Sequence, residues 1–293
     1  MAKIEPLQKI KYLQLDNENV KLLNAEIITE MAVSLTLNGD PWLSFMCTPV
    51  DLEALAVGFL YNEGLVTTKD EIANVRLCPT GDNVDVWLNH SIEKPDIWLR
   101  TSGCTGGVTS IQNDQLEAAN NPKQDSTINT TISREKFNQR TNGIKISLNQ
   151  IAKLIHQFVE AQTLYSHSGG VHTSGLSDGK KILVIAEDIG RHNTLDKISG
   201  RCLLDDIHLK RRILLTTGRI SSDMLQKASR LQATIVISRT SPSSLSIQMA
   251  ERLGITLIGY ARRTSLRIYT HPERIQLPSK VQLYERDSER NST

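Results

Sequence analysis

An apolar run, Ile182-Leu183-Val184-Ile185-Ala186, breaks abruptly into Glu187-Asp188-Ile189-Gly190-Arg191-His192-Asn193. The run reads as a strand buried on both faces. Such a strand needs hydrogen-bonded neighbours, which implies an α/β sheet. Five polar or ionisable side chains crowd its exit, and ligands of such sheets bind in the crevice beyond the carboxyl ends of the strands. A solvated βα loop has this composition too, but here the pattern recurs at the next strand ends.

Strands are expected near 182–186, 213–217 and 234–238, with helices near 194–204, 222–231 and 244–253. Gly254 stands at the C-terminal position of the last helix. Strands at 255–260 and 266–270 complete a mainly parallel, helix-covered sheet. Upstream, Leu148, Ile151, Ile155, Phe158 and Val159 mark one face of a helix. The first part of the chain reads as α+β. Met31, Val33, Leu35 and Leu37 alternate as in a half-buried strand, Asn38-Gly39 signals a hairpin, and Leu43, Phe45 and Cys47 continue on the partner. Pro49 starts a helix over about 50–62 that ends before Gly64. Further strands are expected near 75–78, 84–88 and 97–101. The division is an N-terminal domain over 1–116, a polar linker over 117–143 rich in Asn, Gln, Thr and Ser, an α/β domain over 144–275 and a polar tail over 276–293.

At 293 residues the chain can form one large or two ordinary cores. A net charge of +2 does not argue for nucleic acid. Four scattered cysteines, Cys47, Cys78, Cys104 and Cys202, with no C-x-x-C pair, suit a reduced compartment and no structural zinc. No signal-peptide core follows Met1, and no apolar run nears the roughly 20 residues of a membrane span. The expected location is the cytoplasm, without membrane or structural metal.

The second junction, Thr216-Thr217-Gly218-Arg219-Ile220-Ser221-Ser222, and the third, Ser238-Arg239-Thr240-Ser241-Pro242-Ser243-Ser244, each lead into a helix. Backbone N–H groups at helix starts, with Ser and Thr hydroxyls and the bidentate guanidiniums of Arg219 and Arg239, suit phosphate. The hydroxyls could equally be plain helix caps. Neither junction is a P-loop or a G-x-G-x-x-G turn. Glu187 and Asp188 could accept hydrogen bonds from a base or sugar, or orient Arg191 and His192. His172 and His192 are the histidines placed near the pocket. Ser102-Gly103-Cys104-Thr105-Gly106-Gly107 leaves one thiol accessible on an uncluttered backbone, so Cys104 is the candidate nucleophile. The other three cysteines read as packed side chains.

With these residues in hand, the chain resembles the FdhD family of formate dehydrogenase accessory sulfurtransferases. The resemblance rests on Gly169-Gly170-Val171-His172, on Glu187 to Asn193 with Asp196-Lys197, and on Gly218-Arg219. Gln226-Lys227-Ala228, Ser241-Pro242-Ser243-Ser244-Leu245 and Tyr269-Thr270-His271-Pro272-Glu273-Arg274 extend it. It implies a cytidine-deaminase-like three-layer α/β core with a smaller β-rich N-terminal domain, acting as a homodimer. It implies that Cys104 takes persulfide sulfur from a cysteine desulfurase. That sulfur passes to the molybdenum of the bis-molybdopterin guanine dinucleotide cofactor before insertion into formate dehydrogenase. The family's cofactor-binding segment falls on Leu266, Arg267, Ile268, Tyr269, Thr270 and His271, beside Glu187, Asp188, Arg191, His192, Gly218, Arg219, Arg239, Ser241 and His172. One departure stands out: many members carry C-x-x-C in the cysteine loop, whereas the second position here is Gly107. One thiolate suffices chemically to take and yield sulfur. A cofactor-binding chaperone that moves no sulfur is the alternative. Zinc deamination needs H-x-E and P-C-x-x-C; His172-Thr173-Ser174 lacks the glutamate, and the chain has no C-x-x-C.

Overall fold

The computed structural model describes residues 4–17, 19–94, 99–100, 108–109, 144–209 and 211–277. Two long strands, β1 (Leu7–Asp16) and β2 (Asn19–Ile28), pair as an antiparallel hairpin. A four-stranded sheet follows in the order β4-β3-β6-β5, from β3 (Met31–Leu37), β4 (Asp40–Cys47), β5 (Ile72–Leu77) and β6 (Asn83–Leu88). Asn38 and Gly39, with φ of 52° and 91°, make the tight turn that their sequence signals. Val33, Leu35 and Leu37 turn inward against helix α1 (Leu52–Glu63). That helix ends at Gly64 in the left-handed conformation. Short pairs complete the inventory: β7 (Leu99–Arg100) with β8 (Val108–Thr109), and β9 (Ile146–Ser147) with β16 (Ile275–Gln276).

The larger sheet has the order β11-β10-β12-β13-β14-β15. Its strands are β10 (His172–Ser177), β11 (Ile182–Asp188), β12 (Ile213–Thr216), β13 (Ile235–Ser238), β14 (Thr256–Gly259) and β15 (Arg267–Ile268). Alternation sends Leu214, Val236 and Leu257 to one face, where α4 (Arg191–Leu204), α5 (Ser222–Arg230) and α6 (Ser244–Leu253) cover them. Ile213, Leu215, Ile235 and Ile237 go to the other, under α2 (Leu148–Glu160). The result is mixed α/β with three layers. Val159, expected on the buried face of α2, is exposed.

Two sequence expectations are corrected. The strand over 182–186 is the sheet's edge rather than an interior strand, and β10, antiparallel to both neighbours, separates it from β12. That inserted strand, His172-Thr173-Ser174-Gly175-Leu176-Ser177, has no apolar run to announce it. Its buried hydroxyls bond laterally instead: Ser174 Oγ lies 2.7 Å from Thr194 Oγ1 and donates to Thr216 Oγ1 at 3.0 Å. Gly175 accommodates Phe158, whose ring carbon would lie 3.0 Å from an added Cβ. The β1–β2 hairpin was not expected either. No described helix is long and apolar enough to cross a membrane.

Candidate functional site: the polar edge of the large sheet

Strands β11 to β14, apart from β10, point the same way, while β10 and β15 run against them. The ends of β11, β12, β13 and β14 therefore share one edge with the starts of β10 and β15. That edge gathers His172, Glu187-Asp188, Thr217-Gly218-Arg219, Arg239 and Arg267. Topology alone thus unites residues up to 95 positions apart, from His172 to Arg267.

Glu187 and Asp188 face inward. Glu187 accepts from Thr163 N, Leu164 N and Tyr165 N at 2.8–2.9 Å and from the Thr163 hydroxyl at 2.8 Å, which pins the start of short helix α3 (Leu164–Ser168). Asp188 is fully buried. One oxygen accepts from Lys197 Nζ at 2.6 Å and Thr48 N at 3.0 Å, the other from Gly190 N and Asn193 Nδ2 at 2.7 and 2.8 Å. The expectation that these carboxylates meet a base or sugar is corrected, because their lone pairs are taken by internal donors. Orienting neighbours is what they do. Lys197 also donates to Thr48 O and Glu187 O, and Asn193 Nδ2 donates to Met46 O. The polar strand end is thus also the joint between the two sheets. Nearby, Asp196 accepts from Lys227 at 2.6 Å and from Asn62 of α1 at 2.7 Å.

Arg191 and His192 begin α4 and are both buried. Gly218 leaves room for Arg191, whose Cβ would lie 3.1 Å from an added Cβ. His172 Nδ1 lies 3.4 Å from Thr217 Oγ1. Burial, then the Arg191 and Arg219 guanidiniums, holds His172 below its ordinary value against the pull of Asp188. His192 is pushed down to about 3 by burial and by the charges of Lys227, Arg191 and His172. Its Nε2 makes no hydrogen bond within the structure and lies 4.0 Å from Asp223 Oδ2. Burial raises Asp223 above the usual carboxylate range, partly offset by Lys227 and Arg191. Both histidines are therefore neutral near pH 7 and can accept a hydrogen bond rather than present charge.

The cationic groups lie further along the edge. Arg219 is exposed and Arg239 half-buried. Arg262 and Arg263 follow β14, and Arg267 stacks on the Tyr260 ring at 4.2 Å. Ser221 and Ser243 turn out to be helix caps, accepting from Met224 N and Ser246 N. The loops after β12 and β13 are stitched together by Ile220 N to Ser241 O at 3.1 Å and Ser238 Oγ to Gly218 O at 2.7 Å. The expected segment over 266–271 divides. Arg267 stands exposed at the polar edge, but Leu266, Ile268 and Tyr269 pack against the two cores. Thr270 is buried between Leu257 N and Ile255 O, and His271 Nε2 lies 3.0 Å from Glu251 O, both at the opposite edge. A strand running through the sheet cannot present both ends to one ligand.

Cys104 lies outside the described residues. Cys47 is fully buried and its thiol is pushed up to about 12, by burial first and then Asp188. Burial likewise raises Cys202 to about 11. Cys78 Sγ accepts from Asn83 N at 3.2 Å and donates to Asp82 Oδ1 at 3.1 Å. Cys47 and Cys202 thus have neither the lowered pKa nor the access that a sulfur-accepting thiolate needs. Sequence reasoning missed Asp223 as a neighbour of His192. Its only sequence signal is an acidic residue in the first turn after a junction already marked as polar.

The FdhD/NarQ family model matches residues 28–276. The sulfur carrier protein FdhD of Bacillus pumilus (strain SAFR-032) is 37% identical over 253 residues, which cover 85% of this chain and 90% of that one. The protein of the same name from Bacillus subtilis (strain 168) is 35% identical, with the same coverage. A crystal structure from Desulfotalea psychrophila, described as that of a formate dehydrogenase accessory protein, superposes with a TM-score of 0.73 at 26% identity. It covers 93% of this chain and all of the other. With the match spanning both sheets and the polar edge between them, this chain belongs to the FdhD/NarQ family.

Proposed function

We propose that this protein is a sulfur carrier for formate dehydrogenase maturation, working in the cytoplasm on a deaminase-like core. The observation that carries this reading is the 37% identity, over 85% of the chain, to a protein named sulfur carrier FdhD. Cys104 takes the terminal sulfur of a cysteine desulfurase persulfide, and the desulfurase thiolate leaves. The substrate is the molybdenum cofactor with its two guanine dinucleotide arms. The sulfur so carried is at the sulfane level. As it passes to the metal as sulfide, the Cys104–sulfur bond breaks, Cys104 leaves as thiolate and the metal gives up two electrons.

The polar edge supports this reading by its chemistry. Exposed guanidiniums at Arg219, Arg262 and Arg267, with half-buried Arg239, suit the pyrophosphates of such a ligand, and Tyr260 with Arg267 offers a stacking face. Neutral His172 and His192 offer uncharged hydrogen-bonding nitrogens deeper in. Glu187, Asp188 and Lys197 set the backbone from which Arg191 and His192 project.

The test is peptide mass mapping after incubation with a cysteine desulfurase and cysteine, comparing the native chain with Cys104→Ala. The expected result is a reducible sulfur adduct on the Cys104 peptide, absent from the variant. No adduct, with guanosine diphosphate still bound, would replace sulfur transfer by the role of a cofactor-binding chaperone.

A further inference from the structure

One buried polar pair at the edge is left open by the fold. His192, in the first turn of α4, is 7% exposed, and its Nε2 makes no hydrogen bond within the structure. Asp223, in the first turn of α5, faces it with Oδ2 at 4.0 Å, too far for a direct hydrogen bond. The Asp223 side chain is 16% exposed, and no group among the described residues donates to it. The neighbouring carboxylates differ. Glu187 and Asp188 are saturated by internal donors, and Asp196 is held by Lys227 and Asn62. A buried polar atom without a partner costs about 1–3 kcal/mol, so two acceptors open side by side call for a donor from outside the fold. With its proton on Nδ1, neutral His192 presents Nε2 as an acceptor, and an ionised Asp223 accepts only. Phosphate and carbonyl oxygens, acceptors themselves, do not suit the pair. A ligand edge with two adjacent donors does.

Both ring systems of a guanine dinucleotide arm carry such an edge. Guanine and pterin are each 2-amino-4-oxopyrimidines, with a ring N–H beside an amino group. Position along the sheet separates the two. The order β11-β10-β12-β13-β14 places Tyr260 at one end, Arg239 and Arg219 between, and His192 beyond β11 at the other. Four strand spacings, about 19 Å in all, separate β11 from β14, the reach of an extended dinucleotide rather than of one nucleoside. A pyrophosphate joins the two ring systems, so an arm with its phosphates on Arg219 and Arg239 has one ring system on either side of them. The exposed Tyr260 ring, stacked by Arg267, offers a face to a base. The buried end offers only acceptors to an edge. We infer that His192 and Asp223 read the 2-amino-4-oxopyrimidine edge of the pterin. Asp223 accepts from the ring N–H and one amino hydrogen, and His192 Nε2 accepts from the other amino hydrogen. The pair thereby sets the direction of the arm along the edge, pterin inward and guanine outward. This rests on the ligand being the guanine dinucleotide cofactor of the preceding subsection.

The experiment is a fluorescence titration of the full native chain with pterin and with lumazine. Lumazine has a carbonyl oxygen in place of the amino group, and that oxygen would face the Asp223 carboxylate. Pterin should therefore bind at least about tenfold more tightly. Asp223→Asn sets an amide donor against the amino group and should lower pterin affinity about tenfold while removing the discrimination. Equal affinities for pterin and lumazine on the native chain, or no pterin binding at millimolar concentration, would overturn the inference without any variant having to fold. A loss of guanosine diphosphate affinity in Asp223→Asn as large as the loss for pterin would overturn it too, because the pair would then read guanine. A native chain that binds guanosine diphosphate but not pterin defeats this inference alone, whereas one that binds neither also removes the dinucleotide reading on which it rests.

Discussion

Asp188 and Lys197 have no solvent contact, and every donor of the ammonium and both carboxylate oxygens are engaged. Such a pair contributes little net stability, but removing one partner strands a buried charge. Lys197→Met or Asp188→Asn should each cost about 3–5 kcal/mol in urea unfolding. The double variant should cost clearly less than the sum, and strict additivity would show that the two charges do not compensate each other. His192 yields a second prediction. The unfolded chain takes up its proton near 6.5, whereas the folded state refuses it down to about 3. The unfolded state then binds more protons, so stability falls as pH drops from about 6.5. Asp223, raised by burial, works in the opposite direction only lower in that window. In the upper part, the pH slope of the melting temperature should flatten in His192→Gln; an unchanged slope would mean that His192 is not the group responsible. At this scale the sequence marked 187–193 as a polar cluster but not the partners of its carboxylates. A carboxylate's partners are set by what folds against it, and Thr48 lies 140 positions from Asp188.

Helices α1 and α4 cross almost backbone to backbone. A Cβ on Gly58 would sit 1.7 Å from Asp196 O, and one on Gly200 would sit 1.9 Å from Ala54 O. A helical glycine costs about 1 kcal/mol relative to Ala, so a glycine inside each helix is tolerated for the close approach it permits. Gly58→Ala should therefore destabilise by about 3 kcal/mol or more in denaturant unfolding, despite the better helix propensity. A stabilised variant would show that the crossing is looser in solution. Elements with a clear period were legible: α2, α5, α6, the β3–β4 hairpin and strands β12 to β14. Two were not. Strand β10 is polar and small because its neighbours supply hydroxyl partners, and the β1–β2 ribbon carries apolar residues on both faces, so neither period stands out.

The two sheets are joined by buried hydrogen bonds from Asp188, Lys197 and Asn193 to the 46–48 segment, by Asn62 to Asp196, and by the glycine crossing. Opening that joint would break these bonds and the glycine crossing together, so the halves are not free to unfold separately. Calorimetry should show one transition with equal calorimetric and van't Hoff enthalpies; two resolved transitions would contradict a bonded joint. Local composition was enough to determine that an α/β unit with polar strand ends is present, because strand burial and turn chemistry act over a few residues. It did not determine that the sheet is mixed rather than mainly parallel, with β10 and β15 antiparallel to their neighbours. The glycines around Cys104 mark it as the candidate nucleophile, a reading that lies outside the described residues. Only the tertiary structure decided that the apolar run ending at Glu187 is an edge strand, that Asp188 braces the joint between the two sheets while Glu187 pins the start of α3, and that Arg267 and His271 face opposite edges. Those outcomes depend on which strands become neighbours and in which direction they run, and no short window of sequence carries that information.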